Sequence, residues 1–165
     1  MSVVIRRARA GDAPAIRDVY SAAAAQGTLA RMPDEVDDAY VAHFMAAAKD
    51  GIEVVAEVDG VVVGELHASR LEPRIFAHGL GELTIAVHPS QQGKGIGRKL
   101  FEEFFRIVKD EMPDIHRVEL YAWDGNQGAI RLYESLGFKF EGRLSRRVRT
   151  DDGEWRDDVI YGWLR

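Results

Sequence analysis

The stretch that decides the fold reads Val87-His88-Pro89-Ser90-Gln91-Gln92-Gly93-Lys94-Gly95-Ile96-Gly97-Arg98. Its glycines stand at alternate positions, directly after an apolar run and directly before a helical pattern. Glycine lets a backbone approach a ligand closely, and the free N–H groups at the start of a helix attract anions. The stretch therefore predicts a strand, an anion-binding turn and a helix in succession.

Two better-known phosphate-binding motifs do not fit this turn. A P-loop needs Gly-Lys followed by Ser or Thr, whereas Gly95 follows Lys94. A dinucleotide fingerprint, G-x-G-x-x-G, would need its last glycine where Arg98 or Leu100 stands. A tight turn that binds no ligand is the remaining alternative.

The rest of the chain alternates between strand and helix patterns. Ser2–Arg7 predicts a first strand, and helices are predicted to start after Gly11-Asp12 and after Asp34. Asp59-Gly60 joins two β-branched runs, which is typical of a tight hairpin. The other predicted strands are Ile52–Val58, Val61–Ala68, Glu82–Val87, Val118–Trp123, Phe138–Arg149 and Trp155–Leu164, and the other predicted helices are Arg98–Lys109 and Asn126–Leu136.

This order of elements predicts an α/β fold. A strand, a glycine turn, a helix and a further strand in succession favour a partly parallel sheet, and the hairpins make the sheet mixed. We expect about seven strands and about four helices. We expect them to form a single domain over residues 1–165.

Composition and charge exclude several classes of protein. The 165 residues are 46% hydrophobic and 30% charged, which fits a globular fold. The net charge of −5 argues against nucleic acid or an acidic membrane as a partner. The chain has no cysteine, and its histidines are scattered, so no metal site is predicted. No apolar run suits a signal peptide or a membrane span, so we expect a cytoplasmic protein.

Two motifs resemble the GNAT superfamily of N-acetyltransferases. Gln92–Gly97 resembles its Q/R-x-x-G-x-G/A signature, and Asn126–Phe138 resembles its second motif. They lie about thirty residues apart in the family's order, and the predicted elements agree from end to end. The resemblance therefore covers essentially the whole chain. One departure is Asp124-Gly125, because the family more often has an acidic residue directly before the Asn.

A finer resemblance points to one branch of the superfamily, which includes amino-acid and other small-molecule N-acetyltransferases. Arg74, His78 and Glu82 resemble the pattern that precedes the fourth strand in this branch. Glu141-Gly142 and the later stretch Asp152–Asp157 resemble its tail. A small-molecule amine is therefore the expected acceptor, with an amino acid as one candidate.

The resemblance implies a sheet that is splayed between strands 4 and 5, with acetyl-CoA as the cosubstrate. A primary amine would attack the acetyl group directly. The pantetheine arm would pair with one exposed strand edge, and the amides of the glycine turn would hold the pyrophosphate. The residues implied for acetyl-CoA binding are Ile85, Val87, Gln92, Gly93, Lys94, Gly95, Ile96, Gly97, Arg98 and Asn126.

The resemblance also implies catalytic roles for two side chains. Tyr133 would protonate the leaving thiolate, although core packing alone would also explain a tyrosine there. Glu82 would accept the proton of the amine, with an ordinary strand-end carboxylate as the simpler interpretation. His78 and a water chain are the alternatives for the base.

Arginines and aromatic residues suggest further contacts. Arg70, Arg74 and the run Arg143–Arg149 are candidates for binding a substrate carboxylate, although solvated surface positions are the simpler interpretation. Trp155, Tyr161 and Trp163 lie in the C-terminal hairpin, which has more apolar surface than a free sheet edge should expose. This surface predicts a homodimer.

Two other functions stay open. A protein N-terminal or lysine acetyltransferase would need an open acceptor groove, whose shape depends on the loops at Gly27–Pro33 and Ser69–Gly81. A non-catalytic acyl-CoA-binding sensor would be expected to have lost Tyr133 and Glu82, and both are present.

Overall fold

A seven-stranded sheet forms the centre of the computed structural model, which describes residues 2–165. The strands are β1 (Val3–Arg7), β2 (Ile52–Val58), β3 (Val61–Arg70), β4 (Gly79–Val87), β5 (Arg117–Trp123), β6 (Lys139–Arg149) and β7 (Trp155–Leu164). The helices are α1 (Ala13–Gln26), α2 (Asp38–Ala47), α3 (Ile96–Glu111) and α4 (Gln127–Ser135). The strand order is β1-β2-β3-β4-β5-β7-β6, and only β4 and β5 pair in parallel. The predicted mixed, partly parallel sheet is confirmed.

Local sequence signals fix the hairpins but not every helix start. Asp59 and Gly60 adopt φ values of 51° and 83°, as a tight turn between β2 and β3 requires. The predicted start of α2 at Asp34 is wrong. The helix is capped by Asp37, whose carboxylate accepts a hydrogen bond from the N–H of Tyr40 at 2.7 Å.

The side chain of Asp12 does not cap α1 as predicted. Asp12 lies at the N-cap position, yet its side chain makes no hydrogen bond to the helix. Its carboxylate instead accepts two hydrogen bonds from the guanidinium of Arg6 on β1, at 2.7 and 2.8 Å. Asp12 therefore ties the start of α1 to the first strand.

The core has one layer on each face of the sheet. On one face, α3 buries Leu100, Phe101 and Phe104 completely, because these side chains recur at helical spacing. On the other face, α1 buries Ile16 and Tyr20 in the same way. Full burial of such a side chain stabilises the fold by about 1.5–3 kcal/mol.

The sheet opens between its two parallel strands. β4 and β5 pair only at Gly79 with Arg117 and at Leu80 with Val118. The remainder of β4 pairs with β3 at Gly81 and at residues 84–87, and it does not pair with β5. The splay implied by the family resemblance is therefore present.

A β-bulge in β4 coincides with the start of the splay. Glu82 and Leu83 together face one residue of β3, Ala68, and Glu82 has a φ of 51°. An extra residue bends a strand and increases its local twist. The structure corrects the prediction that Glu82 begins the fourth strand. β4 begins earlier, at Gly79, and the loop before it is shorter than predicted.

A buried polar cluster lies beneath α1 and α2. The carboxylate of Glu65 accepts a hydrogen bond from the hydroxyl of Tyr20 at 2.5 Å, and lies 3.0 Å from Nδ1 of His67. The ring of His67 stacks on Phe44 with centroids 4.1 Å apart. On β2, Glu53 pairs in register with His67, and its buried Oε1 has no hydrogen-bond partner among the described residues.

We expect Glu53 to make the stability of the protein depend on pH. Burial, followed by the charge of Glu65, raises the pKa of Glu53 to about 7. The folded protein therefore retains a proton that the unfolded chain releases at lower pH. This stabilisation is complete below the unfolded pKa and is lost as pH rises through about 7.

Thermal unfolding of wild type and Glu53→Gln, measured from about pH 5 to about pH 8, checks this expectation. The melting temperature of Glu53→Gln should fall less over that range than the wild-type value. Glu57→Gln is the matched control, because Glu57 lies on the same strand and pairs with Arg6 at 2.7 Å. Equal pH slopes for wild type and Glu53→Gln would contradict the assignment.

Candidate active site

The splay opens into a cleft of about 610 Å³. Its walls are the end of β4, the glycine turn, the start of α3, one side of α4 and the loop that follows α1. Nine of the predicted acetyl-CoA-binding residues line it, namely Ile85, Val87, Gln92, Gly93, Gly95, Ile96, Gly97, Arg98 and Asn126. Tyr133 lines the same cleft.

The β4 wall presents free backbone groups. The N–H of His88 donates to the carbonyl of Val63 on β3 at 2.8 Å. Since alternate residues direct their backbone groups to alternate sides of a strand, those of Val87 and Ile85 face the gap. The Val87 carbonyl accepts a hydrogen bond from Nε2 of Gln92 at 3.0 Å. Both backbone groups of Ile85 and the N–H of Val87 thus remain available to a ligand.

The glycines of the turn leave open space beside the cleft. Gly93 and Gly95 have φ values of 74° and 79°, and a β-carbon on either would meet nothing within 4 Å. α3 begins at Ile96, so its first N–H groups point towards this open space. Gly97 differs, because a β-carbon there would lie 3.4 Å from the side chain of Leu132. Gly97 therefore lets α3 pack closely on α4.

The two cations of the turn are placed differently. Arg98 lines the cleft, and its guanidinium donates to the hydroxyl of Ser135 at 2.7 Å. Lys94 is not among the lining residues. Its ammonium group donates to the carbonyl of Ser90 at 3.1 Å and to Oε1 of Gln91 at 2.9 Å. Arg98 is therefore the cation of the turn that lies in the cleft.

α4 supplies a cap and a phenol to the cleft. The side chain of Asn126 caps the helix by accepting the N–H of Ala129 at 3.4 Å. The ring of Tyr133 packs edge-on against Phe101 and Phe138, and burial raises the pKa of Tyr133 to about 12. Tyr133 also lines the cleft. Tyr133 is therefore protonated at neutral pH and can donate to a ligand.

The two predicted bases are not brought to the cleft lining. The side chain of Glu82 is exposed, and its carbonyl accepts a hydrogen bond from the hydroxyl of Thr84 at 3.4 Å. His78 precedes β4 and lines a separate pocket of about 290 Å³ beside Arg117 and Glu119. Leu83 and Thr84, which follow Glu82 on β4, do line the cleft.

The arginines predicted to bind a carboxylate lie in different places. Arg70 is bound to the carbonyl of Ala77 at 2.6 Å and to Asp114 at 2.7 Å, so it braces the loop before β4. Arg147 and Arg149 line a second cleft of about 520 Å³. The second cleft touches the first at Leu29, Ala30 and Trp123.

Trp123 is a site residue, although the sequence favoured a core or interface aromatic over a substrate contact. It lies at the end of β5 and lines both clefts. A β-carbon at Gly125 would overlap the Trp123 ring, so this position requires glycine. The Asp124-Gly125 pair, where the sequence departs from the family pattern, was the sequence feature that could have pointed to Trp123. Thr28, Leu29 and Ala30 belong to the loop at Gly27–Pro33, which was expected to shape the acceptor groove, whereas Thr84 and Tyr121 were not predicted as lining residues.

Residues 15–138 match the acetyltransferase (GNAT) family. The splayed strand pair, the glycine turn and the phenol on α4 agree with the motifs through which the sequence resembles that superfamily. The chain belongs to the GNAT family and is an N-acetyltransferase.

Known proteins similar to the chain include enzymes and solved structures. It is 37% identical over 161 residues to the L-amino acid N-acyltransferase MnaT of Escherichia coli (strain K12), covering 93% of this chain and 88% of that protein. The structure of yncA from Salmonella typhimurium with its cofactor acetyl-CoA matches with a TM-score of 0.86 and 27% identity, covering 99% and 94%. The ribosomal-protein-alanine N-acetyltransferase from Brucella melitensis matches with a TM-score of 0.85 and 28% identity, covering 98% and 99%.

In the part of the chain that the structure describes, no three His, Asp or Glu side chains are grouped to hold a metal ion. Across residues 2–165, no helix is both long enough and apolar enough to cross a membrane.

Proposed function

We propose that this enzyme transfers the acetyl group of acetyl-CoA to the primary amine of a small molecule, with amino acids as the acceptor class. The observation that carries the proposal is the first cleft, where free strand backbone, a glycine turn and a buried phenol meet. The similarity to an L-amino acid N-acyltransferase supports the acceptor class.

The chemistry of the cleft fits acetyl-CoA. The free backbone groups of Ile85 and Val87 suit the amides of the pantetheine arm, which can pair with them as an added strand would. The N–H groups at the start of α3 and the open space at Gly93 and Gly95 suit a pyrophosphate. Asn126 and Gln92 lie beside the same path. When bound there, acetyl-CoA supplies an activated acetyl thioester.

Tyr133 is proposed as the proton donor to the leaving thiolate. The phenol is protonated at neutral pH, because burial raises its pKa to about 12. The residue lines the first cleft, where the thioester would lie. A positioned acid of this kind typically accelerates a reaction by about 10² to 10⁴.

Glu82 is proposed as the base, acting through water. An alkylammonium group has a pKa near about 10, so the amine must lose a proton before it attacks. Glu82 is exposed and directly precedes Leu83, which lines the cleft. A water chain past Leu83 would connect the amine to the carboxylate. His78 lies in another pocket, so we do not propose it as the base.

Acetylation of a protein N-terminus is a second candidate, favoured by the similarity to the ribosomal-protein-alanine N-acetyltransferase. The loop at Thr28, Leu29 and Ala30 forms part of the cleft wall, which favours a small acceptor over a chain. Tyr133 and Glu82 are both retained, which argues against a non-catalytic sensor. Thiol release from acetyl-CoA, assayed with free amino acids and with peptides, separates the two enzymatic functions. The cytoplasmic location and the single-domain boundaries stay predictions.

Acetyl-CoA should raise the melting temperature of the protein. Binding to the folded state alone stabilises it by about 2.7 kcal/mol at about one hundred times the Kd. Gly95→Glu should abolish this increase, because it places bulk and negative charge where the pyrophosphate would lie. Thermal unfolding with and without acetyl-CoA measures both effects.

Gly60→Glu is the control for this experiment. Gly60 has a similar φ of 83° and similar open space, but it lies in the β2–β3 turn. The acetyl-CoA effect should survive in this variant. An unchanged wild-type melting temperature at saturating acetyl-CoA would refute the proposed cofactor site.

Tyr133→Phe should lower kcat by at least about tenfold while acetyl-CoA affinity and stability stay nearly unchanged. The substitution keeps the ring that packs against Phe101 and Phe138 and removes only the hydroxyl. Steady-state kinetics under conditions where chemistry limits turnover provide the measurement. Tyr161→Phe is the control, because that hydroxyl bonds to Glu134 outside the cleft lining. A near wild-type kcat for Tyr133→Phe would contradict the proposed acid role and indicate that water protonates the leaving thiolate.

We also propose a homodimer that covers the C-terminal hairpin. Two of the aromatic residues expected on this surface are not on it, because Tyr161 is buried and Trp163 packs on Phe105 at 4.9 Å. Trp155 and Phe140 support the proposal instead, with exposed fractions of 50% and 56%.

Light scattering at micromolar concentration should give the mass of a dimer. Phe140→Asp and Trp155→Asp should each shift the protein to the monomer, because a buried unpaired charge opposes association. Ile75→Asp, at an exposed apolar position in the loop before β4, is the control and should remain dimeric. A wild-type monomer would end the proposal.

A further inference from the structure

A row of polar side chains crosses the sheet behind the wall of the first cleft. Glu53 on β2 pairs in register with His67 on β3, and His67 pairs in register with Thr84 on β4. Residues paired in this way point to the same face of a sheet, with their β-carbons about 4.5–5.5 Å apart. Thr84 lines the first cleft, whereas Glu53 and His67 do not. These three residues, the polar row, therefore lead from the cleft into the protein.

The middle of the polar row is deeply buried beside a carboxylate. The exposed fraction of the side chain is 5% for His67 and 0% for Glu65, its neighbour on the same face of β3. Burial of ionisable side chains opposes folding unless they are paired. A histidine and a glutamate at the centre of the fold therefore call for a role beyond packing.

The contacts of His67 determine which of its ring nitrogens can accept a proton. Nδ1 lies 3.0 Å and 3.2 Å from the two carboxylate oxygens of Glu65. Since a carboxylate only accepts hydrogen bonds, Nδ1 carries the proton of the neutral ring, and Nε2 is the bare nitrogen. A carboxylate that orients a histidine in this way recurs in general-base catalysis.

α1 and α2 hold the pair of Glu65 and His67 in place. The hydroxyl of Tyr20 donates to Glu65 at 2.5 Å, and the ring of Phe44 stacks on His67 with an interplanar angle of 7°. The titratable groups that face the polar row and this pair from the elements packed on them are Tyr20, Tyr40 and Asp12. Asp12 is already bound to Arg6.

Thr84 can pass a proton between the cleft and His67. A hydroxyl both donates and accepts hydrogen bonds, and its hydrogen rotates to suit its partners. The hydroxyl of Thr84 donates to the carbonyl of Glu82 at 3.4 Å. This bond is long, so rotation towards His67 replaces a weak interaction.

We propose that the polar row is a second route for the proton that the acceptor amine loses, with Thr84 as its entrance and His67 as the group that takes the proton. The inference rests on the proposed function, and the row acts beside the water route to Glu82. An N–H bond of the ammonium group breaks and its proton joins the oxygen of Thr84, while the hydroxyl proton passes to Nε2 of His67. The amine nitrogen keeps the electron pair with which it attacks the acetyl carbonyl.

Glu53 completes the row at its inner end. Its buried Oε1 has no hydrogen-bond partner among residues 2–165, and the side chain as a whole is half-buried. Burial, followed by the charge of Glu65, raises the pKa of Glu53 to about 7, so this carboxyl can take up a proton from His67 and release it near neutral pH. His67 and Glu53 are positioning residues in this scheme, because they act through Thr84.

Variants of Thr84 in the Glu82→Gln protein test the proposal, because the water route to Glu82 is then closed. Thr84→Val keeps the shape of the side chain and removes the hydroxyl, so it should lower kcat at least about tenfold. Thr84→Ser keeps the hydroxyl and should stay within about threefold. Thiol release from acetyl-CoA with free amino acids, measured where chemistry limits turnover, gives the rates.

The pH dependence of kcat gives a readout that packing alone would not move. In Glu82→Gln, kcat should rise as pH rises through about 7, because the row accepts a proton only when its groups are deprotonated. The midpoint of this rise should move in Glu53→Gln, which removes one titrating group. It should stay in Glu57→Gln, the control, because Glu57 lies on the same strand and pairs with Arg6. Retention of the acetyl-CoA effect on melting temperature shows that each variant is folded.

Equal kcat for Thr84→Val and Thr84→Ser in the Glu82→Gln protein would overturn the proposal. Complete loss of activity in Glu82→Gln alone, or an unchanged midpoint in Glu53→Gln, would also overturn it. In each of these cases, acetylation of the amine by the wild type would leave the proposed function standing. If the wild type acetylates no amine, the proposed function fails and the polar row fails with it.

Discussion

One extra residue in β4 opens the sheet, and the proposed site depends on that opening. At Glu82 the backbone takes a left-handed conformation, and two residues of β4 face one of β3. The bulge bends β4 while its pairing with β3 continues as far as Val87. β5 cannot follow the bent strand, so the parallel pairing ends at Leu80. Backbone groups that an ordinary sheet would use internally are left for a ligand.

The features around the gap supply different parts of one reaction. The glycine turn and the start of α3 favour an anion at one end, and the buried phenol of Tyr133 lies along the same cleft. The second cleft meets the first at a wall formed by Leu29, Ala30 and Trp123. A chain with a net charge of −5 thus places N–H donors and the cation of Arg98 where acetyl-CoA would carry its negative groups.

The sequence predicts those parts of the fold that local chemistry determines. Asp59-Gly60 marks a hairpin because both residues tolerate positive φ, and α3 follows from apolar residues at helical spacing. The bulge at Glu82 was not predictable, since a non-glycine residue in that conformation has no local signal. The meeting of Leu29 and Trp123 in one wall was missed for another reason. Only the folded sheet brings together residues so distant in the chain.

Amide hydrogen exchange at Ile85 tests most directly whether acetyl-CoA completes the open edge of β4. We predict rapid exchange of the Ile85 N–H in the free protein and strong protection with acetyl-CoA bound, because the ligand supplies the missing partner. The N–H of His88, which donates to Val63 at 2.8 Å, should be protected in both states and serves as the internal reference. Protection of Ile85 in the free protein, or rapid exchange at saturating acetyl-CoA, would contradict the account.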